Sequence, residues 1–295
     1  MAHLERLRVP TAAVVLALGG LVPLPGDISA NAATPNCAGY TATITGTGES
    51  EAITGTSRDD VIVALGGNDR VFALGGDDVV CGGPGEDQVH AGSGDDIVLA
   101  EERSDRIFGG SGEDVLFGDE GDDLLDGGPR SDRLLGMAGD DALIGGKGAH
   151  DVANYDFGGR ITVNLARGVA DGQQGTDRLR TVEDVVGTSN DDVLIGDRHS
   201  NRLSGTDGDD RIRGGRGGDE LIGGSGQDLV RGEVGDDDLD GSADDDVLLG
   251  ELGNDDLSGD SGDDRLDGGG GTDRLDGGEG TDECLEGEAV TECEP

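Results

Sequence analysis

The stretch GGSGEDVLF at residues 109–117 is one copy of a nine-residue pattern that recurs on both sides of it. Each copy starts with small residues and glycines, carries an acid at its sixth position and has an aliphatic residue at its eighth. Residues 46–153 divide into twelve such units, and residues 187–285 divide into eleven more. A short fixed period of this kind indicates a repeat architecture, in which each unit packs against its neighbours.

The composition of one unit predicts its local structure. The first six residues favour a turn, because glycine adopts positive φ without steric cost. The last three residues form a short strand whose central aliphatic side chain points to one side. Two units then make one circuit of a flattened coil, and residues eighteen apart stack at about 4.8 Å. The sequence therefore predicts an all-β fold, a parallel β-roll (β-solenoid) of nine-residue repeats in two blocks.

The N-terminal residues have the layout of a secretory signal peptide. Arg6 and Arg8 give a basic start, residues 11–24 are largely apolar, and residues 30–32 (ANA) offer a small-residue cleavage site. The apolar run is short and contains glycines and prolines, which disfavours a retained membrane anchor. We therefore expect a secreted, extracellular protein with no membrane span in the mature chain.

The repeats also divide the rest of the chain. Solenoids need terminal units unlike the others, since an exposed end invites edge pairing. The nine-residue register ends at residue 153 and resumes at residue 187. The predicted segments are a signal peptide (1–33), an N-terminal cap strand (34–45), a first β-roll block (46–153), an inter-block segment (154–186), a second β-roll block (187–285) and a C-terminal cap (286–295).

The charge of the chain limits its partners. It has 65 acidic residues against 21 basic ones, a formal net charge of −44, and its hydrophobic content is only 33%. Nucleic acids are bound mainly through cationic side chains, so this charge argues against nucleic acid as a partner, and equally against anionic membranes. With a core only one aliphatic residue deep from each side, the chain needs cations to fold.

Stacking of the turns brings the sixth-position acids together. Asp96 and Asp114, eighteen residues apart, would lie within a few ångströms of each other and repel. A hard divalent ion between adjacent turns could bind both carboxylates together with backbone carbonyl oxygens. Calcium takes six to eight oxygen ligands in tolerant geometry and suits this site better than magnesium. Zinc and copper prefer histidine and cysteine, which are scarce here.

Several units match a known consensus at every defined position. The copies GGSGEDVLF, GGPGEDQVH and GGSGQDLVR fit G-G-x-G-x-D-x-U-x, the pattern of RTX calcium-binding repeats. The chain therefore resembles the hemolysin-type (RTX) calcium-binding repeat proteins. The resemblance implies a parallel β-roll with multiple calcium ions bound between the turns. RTX toxins usually carry a C-terminal export signal, whereas the signal expected here is N-terminal.

The resemblance implies calcium ligands at the sixth position of the units that keep glycine at the fourth. These residues are Asp69, Asp78, Asp87, Asp96, Asp114, Asp123, Asp141, Asp210, Asp219, Asp228, Asp237, Asp255, Asp264, Asp273 and Asp282. An arginine at the fourth position would place a cation beside the ion, so Asp60, Asp105 and Asp132 are left out of this set. In two units His150 and Asn201 replace the acid itself.

The four cysteines allow three pairings, and an exported protein favours disulfides over free thiols. Cys284 and Cys293 are nine residues apart, so they should face each other at the end of the coil. Pairing of Cys37 with Cys81 then follows as an N-terminal clamp. A free buried thiol is the alternative.

The sequence offers no candidate catalytic site. Its four histidines stand in unrelated contexts, which disfavours a catalytic triad or a zinc site. The segments outside the repeats are too short for a catalytic domain. We therefore expect a non-enzymatic, secreted calcium-binding protein that folds when calcium ions bind.

Two other functions stay open at this point. The chain could be an extracellular adhesin or a matrix spacer built on a calcium roll, with a cell-surface or polysaccharide partner. Less favoured is a remnant of a secreted RTX-type hydrolase, in which the repeats only assist folding.

Overall fold

The computed structural model describes residues 35–148, 150–286, 289–291 and 293. The predicted signal peptide, residues 1–33, lies outside the described residues. The described part of the chain forms strands and turns, and it contains no helix long and apolar enough to cross a membrane.

The strands follow the repeat units along the chain. The N-terminal cap contains β1 (Asn36–Cys37), β2 (Tyr40–Thr41) and β3 (Ile44–Thr45). Next come β4 (Ala52–Thr54), β5 (Val61–Val63), β6 (Arg70–Gly75), β7 (Val79–Cys81), β8 (Gln88–Ser93), β9 (Ile97–Leu99), β10 (Arg106–Ser111), β11 (Val115–Glu120), β12 (Leu124–Pro129), β13 (Arg133–Ala138), β14 (Ala142–Lys147) and β15 (Val152–Asn154).

Four further strands lie between the two blocks: β16 (Ile161–Asn164), β17 (Val169–Gly172), β18 (Thr176–Arg180) and β19 (Asp184–Val186). The remaining strands are β20 (Val193–Ile195), β21 (Arg202–Asp207), β22 (Arg211–Arg216), β23 (Glu220–Ser225), β24 (Leu229–Val234), β25 (Asp238–Ala243), β26 (Val247–Leu252), β27 (Asp256–Ser258), β28 (Arg265–Asp267), β29 (Arg274–Asp276), β30 (Glu283–Leu285) and β31 (Ala289–Thr291).

The chain alternates between two sheets. Sheet 1 has fifteen strands in the order β30-β28-β26-β24-β22-β20-β16-β17-β18-β14-β12-β10-β8-β6-β4. Sheet 2 has fourteen strands in the order β3-β5-β7-β9-β11-β13-β15-β19-β21-β23-β25-β27-β29-β31. Repeat strands of one sheet are parallel and pair eighteen residues apart, as Ile107 does with Leu125 and Leu116 with Leu134. The predicted parallel β-roll is confirmed.

The core lies between the sheets and is built from the eighth position of each unit. Leu116, Leu125, Leu134 and Leu143 are fully buried, while their neighbours in the same strands are mostly half-buried or exposed. Because each strand is short, it contributes a single central side chain to this layer. The buried side chains form one continuous cluster that extends from Ile53 to Leu275.

The inter-block segment adds strands to sheet 1 without interrupting sheet 2. β18 is parallel to β14, β17 is antiparallel to both β18 and β16, and β16 is parallel to β20. In sheet 2, β15 pairs directly with β19, and β19 pairs with β21. Both sheets therefore continue from the first block into the second.

The prediction that the nine-residue register holds through residue 153 is wrong by one residue. Leu134 pairs with Ala153 instead of Val152, and the Asp132 N–H donates to the carboxylate of Asp151 instead of meeting His150. The turn before β15 contains one extra residue. As a result the carboxylate of Asp151, instead of His150, occupies the buried position that accepts this hydrogen bond. His150 stays exposed, with Nδ1 at 3.2 Å from Asp184 Oδ2.

Both predicted disulfides are present, Cys37–Cys81 and Cys284–Cys293. The first one ties the antiparallel β1–β2 hairpin to β7. Cys37, Val63 and Cys81 form a small buried cluster on the outer face of sheet 2, separate from the main core. The cap therefore covers an apolar part of this face at the N-terminal end of the coil.

Candidate metal centre

The sixth-position aspartates form two columns, one along each edge of the coil. The sheet 1 column lies before the strands of sheet 1 and contains the predicted ligands Asp69, Asp87, Asp123, Asp141, Asp210, Asp228, Asp264 and Asp282. The sheet 2 column contains Asp78, Asp96, Asp114, Asp219, Asp237, Asp255 and Asp273. All fifteen are buried, although they carry charge in a chain with few basic residues to pair with them.

One oxygen of each carboxylate links its turn to the turn before it. Asp78 donates its backbone N–H to Asp96 Oδ1 at 2.8 Å, and Asp96 donates its own to Asp114 Oδ1 at 2.9 Å. The Asp114 N–H continues the chain of bonds to Asp132 Oδ1 at 2.8 Å. These bonds fix the side-chain rotamers and hold carboxylates of adjacent turns in register.

The other oxygen, Oδ2, has no hydrogen-bond partner among the residues that the structure describes. This holds in both columns for Asp69, Asp78, Asp87, Asp96, Asp105, Asp114, Asp123, Asp132, Asp141, Asp151, Asp210, Asp219, Asp228, Asp237, Asp246, Asp255 and Asp264. Leaving a buried charged oxygen without a partner costs several kcal/mol. An unpartnered, buried carboxylate oxygen at so many successive turns indicates a cation-binding site that recurs from turn to turn.

Glycines bring backbone oxygens to the same place. A Cβ on Gly109 would lie 2.4 Å from Asp114 Oδ2, and a Cβ on Gly112, whose φ is 154°, would lie 1.8 Å from the Gly94 carbonyl oxygen. Any side chain at either position would displace these oxygens. The turns thus present carboxylate and carbonyl oxygens, which are the ligands that calcium prefers.

The sequence of these turns matches a known family. The RTX calcium-binding nonapeptide repeat (4 copies) matches residues 54–89, 90–125, 126–149, 186–221, 213–248, 222–257 and 249–284, together about two thirds of the chain. The chain belongs to this RTX repeat family. Among curated proteins, no relative matches the chain. Because RTX repeats bind calcium, the unpartnered oxygens of these turns have an expected ion, and the donor set fits it.

The metal sites of this RTX protein would use few side chains each. In the part of the chain that the structure describes, no three histidine, cysteine, aspartate or glutamate side chains converge as a metal-binding group. An ion between two turns would therefore take one carboxylate from each turn and complete its coordination with backbone oxygens. This explains why the repeats need glycine as much as they need aspartate.

In four RTX turns of the described residues, a backbone N–H of the same turn bonds the sixth-position side chain, which is an acid in three turns and Asn201 in the fourth. Thr56 donates its N–H to Asp60 Oδ2 at 2.7 Å, and Thr188 donates its N–H to Asp192 Oδ2 at 2.6 Å. The second-position residues of turns 46–51 and 196–201 make the same bond, to Glu51 and to Asn201. We call these four closed turns, and the turns with an unpartnered Oδ2 open turns.

In the closed turns with threonine at the second position, the hydroxyl adds a further bond within the loop. The Thr56 hydroxyl accepts the Arg58 N–H at 3.2 Å, and the Thr188 hydroxyl accepts the Asn190 N–H at 3.1 Å. These are local hydroxyl-to-backbone turns that hold the loop without an ion. The closed turns stand at the start of each block, so the first two turns of each block are satisfied by the protein itself.

Protein groups also end both columns at the inter-block segment. The Tyr155 hydroxyl donates to Asp177 Oδ2 at 3.0 Å, and Asp177 Oδ1 accepts the Asp141 N–H at 3.0 Å. On the other edge, the Asp151 N–H donates to Glu183 Oε2 at 3.1 Å, and the Glu183 carbonyl oxygen accepts Asn201 Nδ2 at 2.7 Å. The open turns therefore fall into two groups, one in each block.

Arginine at the fourth position does not disturb the site. Arg103 has φ of 79° and keeps its carbonyl oxygen where glycine would place it, 2.1 Å from a Cβ built on Gly121. Its side chain is exposed and points its charge away from the buried column. Asp105 and Asp132 are open like their neighbours, so we add them to the candidate ligands.

Asp151 and Asp246, which lie in two more open turns, are also candidate ligands. Regular spacing does not find Asp151, because its turn contains an extra residue, although an acid next to His150 is a usable signal. The requirement for glycine at the fourth position excludes Asp246, whose turn has Asp244 there with φ of 76°. Each has a buried, unpartnered Oδ2.

Burial sets the charge state of the open turns in the absence of a cation. It raises the pKa of Asp96 to about 7; the Asp78 N–H lowers this pKa, and the carboxylates of Asp114 and Asp78 raise it. Burial likewise raises the pKa of Asp105 and of Asp246 to about 8. Burial thus favours the protonated carboxyl groups, whereas a bound divalent ion favours the ionised carboxylates.

Neutralising one open turn should affect two calcium sites. Since Asp114 lies between Asp96 and Asp132 in its column, Asp114→Asn should lower the calcium stoichiometry by about two ions, measured by calorimetry. Asp60→Asn is the matched control in a closed turn and should leave the stoichiometry unchanged. Equal losses in both variants would contradict the division into open and closed turns.

The stability of the metal-free chain should depend on pH. The pKa of Asp105 rises from 3.8 to about 8, so its contribution to stability is fully present below pH 3.8 and is lost as the pH rises through about 8. In EDTA the β signal in circular dichroism should therefore grow as the pH falls from 8 to 5. With calcium the trend should reverse, because protons compete with the ion. A metal-free signal that is constant over this range would contradict the expectation.

Proposed function

We propose that this protein is a secreted, non-enzymatic calcium-binding protein that folds when multiple calcium ions bind between its stacked open turns. The two columns of buried, unpartnered aspartate oxygens carry this proposal. When bound, calcium supplies two positive charges and six to eight coordination positions. The ligands would be the sixth-position aspartates of adjacent open turns, together with carbonyl oxygens of the glycine-rich loops.

Binding and folding are one process in this proposal. With a net charge of −44 and a core one side chain deep, the metal-free coil cannot offset the repulsion between stacked carboxylates. The Oδ1 bonds between turns pre-align each Oδ2, so every turn that forms prepares the site for the next. The closed turns give each block a start that needs no ion.

Secretion is the second part of the proposal. It rests on the signal-like residues 1–33 and on the two disulfides, which persist in oxidising compartments. The chain would stay unfolded in calcium-poor cytosol and fold in external calcium. The six segments defined by the sequence, with two blocks around residues 154–186, are part of this proposal.

Mass spectrometry of the exported chain should place its N-terminus near residue 33, and an intact Met1 would contradict processing.

Circular dichroism of the mature chain tests the coupling of calcium to folding. In EDTA at pH 8 the spectrum should lack the β signal, and excess calcium should restore it, because open turns require the ion. Magnesium at the same concentration is the control and should restore less, since it demands a stricter octahedral geometry. A β spectrum that EDTA leaves unchanged would overturn the proposal.

A further inference from the structure

The inter-block segment leaves a cleft beside sheet 1 that the repeats do not use. Its volume is about 650 Å³, and its polar lining includes Arg167, Arg198, Arg213, Arg216, Asp197 and Glu233. Arg167 comes from the turn between β16 and β17, and Arg198 comes from the closed turn 196–201. Arg213 and Arg216 come from β22, and Glu233 comes from β24, the next two repeat strands of sheet 1. The cleft thus exists only because the regular stacking is interrupted here.

The cleft concentrates positive charge in a strongly acidic chain. Arg213 is paired within the cleft, its Nε at 2.6 Å from Glu233 Oε1. Arg167, Arg198 and Arg216 are exposed and form no ion pair with a carboxylate of the described residues; Arg198 donates its Nε–H to His199 Nε2 at 3.2 Å and keeps its terminal nitrogens clear of carboxylates. Their charges are therefore available to an anionic ligand.

The backbone that carries these arginines is held in place. The Arg167 N–H donates to Asn164 Oδ1 at 2.9 Å, and the Arg216 N–H donates to the Asp197 carbonyl at 3.0 Å. Arg198 and Arg216 are eighteen residues apart, so they lie on adjacent turns, at about the 4.8 Å step of a sheet. The two side chains therefore start from neighbouring positions on the coil and can reach the same anionic group.

We propose that this cleft binds an acidic sugar, a saccharide that bears a carboxylate. Guanidinium groups bind carboxylates through two parallel hydrogen bonds. The carboxylate of Glu233 adds an acceptor for sugar hydroxyls, and the exposed Val234 adds an apolar contact for a sugar ring. Asp197 is already bonded to His199, whose Nδ1 lies 3.0 Å from Asp197 Oδ2. A cleft of this volume lies within the range of about 300–1,000 Å³ that is usual for small-ligand sites.

The surroundings of the cleft limit the size of the ligand. A nucleic acid or a planar anionic membrane would extend beyond the arginines and meet the acidic turns on both sides. Because the whole chain carries −44, such partners are repelled over most of their contact area. A short oligosaccharide places its acid group on the arginines and its hydroxyls on the acceptors, without that penalty.

Calorimetry with the mature chain in saturating calcium tests the proposal. The probe is a tetrasaccharide of alternating glucuronate and N-acetylglucosamine, and the neutral control is chitotetraose. The acidic probe should bind at least about tenfold more tightly than the neutral one, a difference of about 1.4 kcal/mol. The double variant Arg167→Ala/Arg216→Ala should lose at least about tenfold in affinity for the acidic probe.

Controls separate sugar recognition from general charge effects. Arg265→Ala/Arg274→Ala removes the same charge from arginines that pair with Glu283 and Asp256, and it should bind the acidic probe like the unaltered chain. Equal weakening in both double variants, or equally tight binding of a short polyglutamate peptide, would overturn the proposal.

The same titrations distinguish this proposal from the calcium proposal. A chain that is folded by circular dichroism and binds no acidic probe overturns sugar binding alone. A chain whose fold does not depend on calcium overturns the calcium proposal alone, and its affinity for the probe is still read directly.

Discussion

The structure depends on what happens to the second oxygen of each sixth-position aspartate. The first oxygen is bonded to the turn below, which holds Asp96, Asp114 and their equivalents in two straight columns. The second oxygen is buried without a partner among the described residues. A fold that repeats this arrangement at almost every turn buries charge that its thin aliphatic core does little to offset, and this is the physical basis for proposing that calcium binding and folding are coupled.

Two kinds of turn solve the problem in different ways. Open turns use glycine to expose oxygens and leave the acid free for an ion. In closed turns the backbone N–H of the second-position residue bonds the sixth-position side chain, as Thr56 does for Asp60. Because closed turns start each block and Tyr155 ends one column at the inter-block segment, the open turns of the first block lie between turns that the protein itself satisfies. The same interruption makes room for the arginine-lined cleft.

Most of the fold and much of the site could be predicted from spacing alone. The period of nine gives the pairing of residues eighteen apart, and the burial of Leu116 over Leu134 follows from it. Spacing fails where a residue is added, as in the turn of His150. The pattern alone does not tell whether His150 or Asp151 occupies the buried sixth position. Arg103 is likewise no reason to exclude Asp105 from the candidate ligands. The Arg103 side chain is exposed, and only the backbone carbonyl of this residue faces the column.

The sequence by itself determined the β-roll, the RTX family and the aspartate columns, because each is a property of a single repeating unit and its nearest neighbours. Only the tertiary structure decided which carboxylates keep an unpartnered Oδ2. Open and closed turns differ in one hydrogen bond, from the backbone N–H of the second-position residue to the sixth-position side chain. The tertiary structure also decided that both sheets continue through residues 154–186 and that distant arginines share a cleft. These are contacts between segments without a common period, and periodicity carries no information about them.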